Sequence, residues 1–351
     1  MKLATVRSIV FGAAVICNFC FSSSSGAADV SLRDGRTEGA YFVSISGEIK
    51  KGDLKKIKSA SREAIQKGSE LEFVLNSPGG DVDEAIAIGQ FAREMLAGTF
   101  VYGTTVVLKN SPEAAEIHDV GGLLSKSVTE VGPSSEISSE FVKCYSACVL
   151  IFYGGTNRSV SPNNDYRFGF KAGKHYPTIG LHRPYFDQTK FATLTPRAAR
   201  DQYAKLETEL RDYLQEMGAP NSVAERMFSS ASYELDLVPD EEFAKYFQTT
   251  EPFLEEWINS KCGPPGPTGA LNADELRDWQ IRDNEIKMLI SAGKTSFKSS
   301  GGIDNFSTPS VKAERNLELL AKVSSYNNVW MACNSGFVRK HQQDWAATDG
   351  P

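Results

Sequence analysis

Histidine is scarce in this chain, with four in 351 residues, so imidazole chemistry has few candidate positions. His118, His175 and His341 stand in no supporting motif, which leaves His182 in Leu181-His182-Arg183-Pro184. Cysteine is also sparse, at six. No histidine accompanies the cysteines at zinc-ligand spacing, so no metal centre is expected. An excess of positive charge is lacking as well: 38 Lys and Arg face 44 Asp and Glu, a formal charge of −6. That balance argues against nucleic-acid binding. The apolar run near the start, Ile9 to Phe21, is shorter than the roughly 20 residues a membrane span needs. There is no internal repeat, no glycine-rich phosphate loop and no sign of a cofactor.

What the first segment does have is Lys2 and Arg7, then that short apolar run, then serines ending in Gly26-Ala27-Ala28. A basic start, a short apolar core and small residues at the end are the layout of a cleavable secretory leader, placed here at 1–28. Its removal takes away two positive charges and brings the formal charge from −6 to −8. The chain is therefore expected to be exported, to the periplasm or the extracellular space. Cys17 and Cys20 leave with the leader, and Cys144, Cys148, Cys262 and Cys333 remain. An even number in an exported chain suggests two disulfides. Three pairings are open. The preferred one joins Cys144 to Cys148 and Cys262 to Cys333, bracing the Ser146 loop and tying the C-terminal region back across its linker.

The mature chain reads as two parts. A polar lead from Ser31 to Gly39 is expected to carry little structure. From about residue 40 to 262, short apolar runs alternate with helical patterns, the signature of a parallel α/β arrangement. Asp53 to Gln66 reads as a helix, and so does Thr195 to Gly218, with Thr195 as cap and Pro196 in the first turn. Gly263-Pro264-Pro265-Gly266-Pro267-Thr268-Gly269 is a linker by composition. Beyond it, in 263–351, Asn272 to Ala292 and Val311 to Trp330 have helical character, separated by a Gly/Ser-rich stretch.

Three separated segments carry the chemistry. Phe73-Val74-Leu75 is an apolar run that ends in Asn76-Ser77-Pro78-Gly79-Gly80, and Val82 to Met95 follows with helical spacing. Cys144-Tyr145-Ser146-Ala147-Cys148 leads into the apolar Val149-Leu150-Ile151-Phe152. The third segment contains His182. A serine hydroxyl needs an adjacent imidazole to take its proton and a third group to orient that imidazole. The developing oxyanion needs fixed backbone N–H donors, and a Gly-Gly turn lets backbone approach a substrate closely. The set reads as a serine hydrolase built from distant loops. A tight turn, a helix-capping serine and a satisfied loop histidine are the plain structural alternatives.

These motifs resemble the family of the Clp protease proteolytic subunit, within the clan that also holds signal-peptide peptidases and crotonases. The resemblance covers about residues 40–250 and implies a stacked βαβ spiral domain, here with a small helical C-terminal appendage. Carried over by position, it makes Ser146 the nucleophile and His182 the general base, with the Gly80 and Ala147 amides as the oxyanion hole. Ser44-Ile45-Ser46-Gly47-Glu48-Ile49 matches the opening strand. The family's aspartate precedes a helix marked here by Glu241-Glu242-Phe243-Ala244, so Asp236 is preferred as third member and Glu234 is the alternative. Two departures stand out: Cys144-Tyr145 replace small residues before the serine, and about Lys109 to Glu140 reads as an insertion. Lys143, three residues before the serine, is poorly placed for a serine–lysine dyad.

The resemblance implies a serine peptidase, and the leader-like start makes the expected one exported and independent of ATP, acting on peptides or unfolded segments. No ATPase partner is expected outside the membrane, and homo-oligomers are a family-level expectation. The competing reading is a non-catalytic module that keeps the fold for binding or assembly in the cell envelope. Crotonase-like acyl-CoA chemistry needs neither an exported chain nor the His-x-Pro segment.

Overall fold

The computed structural model describes residues 27–34, 40–103, 105–109, 116–118, 136–140, 142–161, 163–167, 170–186, 188–247, 251–291 and 311–348. Most of the leader, Phe141, much of the 109–140 insertion and the Gly/Ser-rich 292–310 lie outside them.

The centre of the molecule is a mixed α/β assembly. Its main sheet contains β1 (Asp29–Asp34), β2 (Tyr41–Ser46), β3 (Glu72–Asn76) and β4 (Gly98–Val101), with Asn157–Val160 at the far edge. β1 runs antiparallel to β2, and all the other neighbours are parallel. Helix α1 (Asp53–Gln66) connects β2 to β3, and α2 (Val82–Glu94) connects β3 to β4. Both helices begin where the sequence places them. Phe73, Val74 and Leu75 are all buried in β3, as the unbroken apolar run requires of a strand covered on both faces. Fully burying side chains of this size contributes about 1.5–3 kcal/mol each.

The polar lead departs from expectation. Residues 29–34 form an edge strand in register with β2, Asp29 opposite Ser46 and Leu32 opposite Val43. Val30 and Leu32 alternate with polar neighbours and pack on the core, which suits an edge strand. Ala28, just before it, is itself buried.

In the insertion region β5 (Thr105–Lys109), β6 (Glu116–His118) and β7 (Glu136–Glu140) make a separate antiparallel sheet in the order β6-β5-β7. The chain then enters β8 (Cys144–Tyr145) and helix α3 (Ala147–Gly154). Every residue of α3 is buried. It lies against α2 so closely that a Cβ at Gly154 would come within 2.2 Å of the Gly89 carbonyl oxygen. After β9 (Asn157–Val160), β10 (Asn163–Arg167) pairs with β11 (Phe170–Tyr176) as a two-stranded ribbon. β12 (Ile179–Leu181) joins β8 in parallel and, on its other side, β13 (Asp236–Leu237) antiparallel.

Between β12 and β13 come the short α4 (Gln188–Phe191), α5 (Pro196–Glu216) and α6 (Asn221–Ser229). Thr195 caps α5 as expected, its hydroxyl accepting the Ala198 N–H at 3.3 Å. Arg93 gathers the far end of the layer, donating to the carbonyls of Tyr153 and Gly154 in the last turn of α3 and of Met217 just after α5. Burial pushes its guanidinium below the ordinary value, and Glu251 beside it acts in the opposite sense.

The C-terminal region is bound to this core. α7 (Phe243–Tyr246), α8 (Pro252–Cys262), the one-turn α9 (Pro267–Ala270) and α10 (Ala273–Ser291) lead to α11 (Val311–Thr348). α11 runs 18 residues past Trp330, where the apolar pattern fades. Its far end is anchored by Gln342, 1% exposed, which accepts the Leu71 N–H at 3.1 Å and donates to Met95 O at 2.9 Å. Trp345 packs against Phe91, ring centroids 5.3 Å apart and planes tilted by 53°. The expected linker is pinned too, by a 2.8 Å bond from Trp330 Nε1 to Gly263 O. Cys262 is bonded to Cys333 and Cys144 to Cys148, the preferred pairing in both cases. No helix among the described residues is long and apolar enough to cross a membrane.

Candidate active site

The Asn76–Gly80 turn and the Ser146 segment are sewn together by backbone. Ser77 N–H donates to Lys143 O at 2.6 Å and Tyr145 N–H to Ser77 O at 3.0 Å. Lys143 is exposed, and its own N–H is held by Asn76 Oδ1 at 3.1 Å. On the other side of Ser146, its N–H donates to Gly180 O at 2.9 Å, tying the serine to β12, the strand that ends just before His182. Three segments distant in sequence thereby converge through main-chain bonds.

Ser146 precedes the first residue of α3 with φ 54° and ψ −124°, a conformation that L-residues adopt only when the surroundings enforce it. The Cys144–Cys148 disulfide brackets it, and both sulfurs belong to fully buried residues. Ala147 is the first residue of α3, so its N–H has no acceptor within the helix.

The two glycines do different things. Gly79 (φ 107°) faces the serine: a Cβ there would meet Ser146 Cβ at 2.7 Å. Gly80 (φ 142°) faces away, with its absent Cβ 2.1 Å from Ile49 O. Around Gly80, Ile49 N–H donates to Gly79 O and Asp81 N–H to Ile49 O. That bridge leaves the Gly80 N–H outside it, as an oxyanion donor requires.

A cavity of about 350 Å³ opens here, lined among others by Ile49, Lys51, Gly80, Ser146, His182 and Tyr185. Ser146, His182 and Gly80 are therefore brought to one place. His182 Nδ1 lies 2.9 Å from Arg183 O. A carbonyl only accepts, so this contact selects the Nδ1–H tautomer and leaves Nε2 as the proton acceptor. Tyr185, 67% exposed, stacks on the imidazole at 5.9 Å and 20°. Among the described residues no hydrogen bond joins Ser146 to His182.

Asp236 is differently employed from the expectation. In β13 it stands opposite Leu181, one residue from the histidine, but both carboxylate oxygens hold Arg226 of α6. The guanidinium bonds Oδ2 through Nε and Oδ1 through Nη2 at 2.9 Å, and it also bonds Glu242. The bond to Asp236 leads in pushing the Arg226 guanidinium above its ordinary value. Glu234, the alternative acid, is exposed. The group on His182 Nδ1 is thus a main-chain carbonyl, which side-chain motifs cannot reveal. Tyr185 was missed as well, although it follows the His-x-Pro element by one position.

No protein-family model matches the chain, and no curated protein matches it. Among solved structures it is similar to a serine-to-alanine mutant of the 1510-N membrane-bound stomatin-specific protease. The identity is 17%, the coverage is 59% of this chain and 74% of that one, and the TM-score is 0.33.

Proposed function

We propose that this chain is an exported serine peptidase with a Clp-protease-like domain, hydrolysing exposed peptide segments without an ATPase. The observation that carries the reading is Ser146 itself. It opens a wholly buried helix in an enforced backbone conformation and shares a cavity with the imidazole of His182 and the Gly80 turn. In the reaction, His182 Nε2 takes the Ser146 proton as Oγ attacks the peptide carbonyl. The Gly80 and Ala147 amides receive the oxyanion, the leaving amine takes the proton from the imidazolium, and water releases the acyl group. Arg183 O stabilises the imidazolium at Nδ1. The two disulfides and the leader-like start support export.

The second reading, a binding module that keeps the fold, is favoured by two facts: Asp236 serves Arg226, and Ser146 and His182 are not hydrogen-bonded. Incubation of the mature protein with an unstructured protein such as casein separates the two. Peptidase function predicts fragments from the wild type and none from Ser146→Ala or His182→Ala. Intact casein with folded wild-type protein leaves the binding module.

A further inference from the structure

Asp53 opens α1 and is 1% exposed. Its Oδ2 accepts the Lys50 N–H at 2.8 Å and the Ala28 N–H at 3.1 Å, and its Oδ1 takes Lys56 Nζ at 2.7 Å. Lys56 is 47% exposed and also reaches Ala28 O at 3.3 Å. The buried carboxylate therefore has one half-exposed cation and a main-chain amide that comes from the very start of the fold. Ala28 is 3% exposed and belongs to the hydrophobic core. It sits beside Gly47, where a Cβ would lie 3.9 Å from Ala28 Cα. The next residue, Asp29, begins β1 in register with Ser46.

A leader peptidase needs small residues at the first and third positions before the cut. Several bonds satisfy this here, among them one after Gly26 that leaves the Ala28 N–H a neutral amide, and two that decide the fate of Ala28 itself. A cut after Ala28 has Gly26 and Ala28 at those positions, and a cut after Ala27 has Ser25 and Ala27. The first would discard a residue built into the core, together with the donor that Asp53 accepts. The second keeps both and changes that donor from an amide to an α-ammonium.

We infer that the leader is cut between Ala27 and Ala28, one residue earlier than the sequence layout places it, and that the α-ammonium of Ala28 is held by Asp53 as a buried ion pair. Charge-assisted hydrogen bonds are about twice as strong as neutral ones. The turn that Asp53 caps carries Ile49, bridged to Gly80, and Lys51, in the cavity wall. Processing thus strengthens the anchor of one wall of the candidate site. The inference rests on the leader and on Asp53, not on peptidase activity.

The test begins with export of the full precursor and mass spectrometry of the mature N-terminus. Ala28 as first residue is expected; a chain starting at Asp29, one retaining Ala27, or an uncut precursor overturns the inference. Mature chains released from a fusion to start at Ala27, Ala28 or Asp29 are then compared by thermal melting. The Ala28-first chain is expected to melt highest, and Asp53→Asn is expected to erase its advantage over the Ala27-first chain. Should that variant fail to fold, N-terminal acetylation of the Ala28-first chain keeps the N–H and removes the charge, and it is expected to lower melting to the Ala27-first value. Equal melting of the Ala27-first and Ala28-first chains, or no effect of acetylation, contradicts the ion pair.

Discussion

Gly79 and Ser146 are packed so closely that a Cβ on the glycine would lie 2.7 Å from the Cβ of the serine. Real Cβ atoms do not approach so near, and the φ of 107° at Gly79 independently disfavours any side chain. Gly79→Ala is therefore expected to displace the serine as well as strain the turn. The loss of stability should be roughly 1–3 kcal/mol by the usual cost of such strain. Reaction of Ser146 with a fluorophosphonate should fall much further than a mild loss of folded protein explains. Thermal melting and labelling rate on one preparation check both.

The two disulfides should differ in what they protect. Cys262–Cys333 closes a segment with a separation of 71 residues and Cys144–Cys148 one of 4. By loop entropy, losing the first costs about 4 kcal/mol and the second about 2 kcal/mol. Alanine at both Cys262 and Cys333 is expected to lower the denaturation midpoint more. Alanine at both Cys144 and Cys148 should slow labelling of Ser146 more, by about tenfold, the equivalent of 1.4 kcal/mol in the barrier.

Gln342 ties the last helix to the core through one donor and one acceptor that are both buried. Gln342→Ala leaves Leu71 N–H and Met95 O without these partners, and each such loss costs about 1–3 kcal/mol. Chemical denaturation should show a drop of that order. Leu71 and Met95 lie at the end of β3 and α2 away from the Asn76–Gly80 turn, so the labelling rate of the folded fraction should stay within about twofold of wild type, a change of under 0.5 kcal/mol.

Asp236 is expected to matter for stability more than for reactivity, because its carboxylate is spent on Arg226. In a serine triad, losing the acid that orients the histidine costs on the order of 10⁴ in rate. Asp236→Asn should instead change labelling by less than about tenfold while lowering the melting temperature. A loss near the triad value would mean that Asp236 turns to His182 during reaction.

Much of the scaffold was legible because it is written in short-range patterns. Phe73-Val74-Leu75, the capped start at Thr195 and the Gly-Gly turn each carry their own local reason, and the structure builds a strand, a helix and a close approach there. Ser31 to Gly39 was read as a lead with little structure, yet its first four residues belong to β1, where Val30 and Leu32 alternate with polar neighbours, a weak signal that pairing with β2 makes sufficient. The docking of α11 was hidden for a different reason: its deepest anchor is a glutamine, whose value lies in two main-chain groups that only the fold brings to it. At the candidate site, sequence motifs assembled Ser146, His182 and Gly80. They could not foresee which partner Asp236 would take, because Arg226 reaches it from a separate helix, nor that a backbone carbonyl would face His182 Nδ1.

The central claim is that Ser146 is an activated nucleophile. The most direct measurement is to react the folded mature protein with a fluorophosphonate and to locate the adduct by peptide mass spectrometry, beside Ser146→Ala and His182→Ala. The account predicts a single adduct on Ser146, absent in the first variant and lost or strongly slowed in the second. A folded wild-type protein that takes up no probe, or that labels equally well without His182, would contradict it.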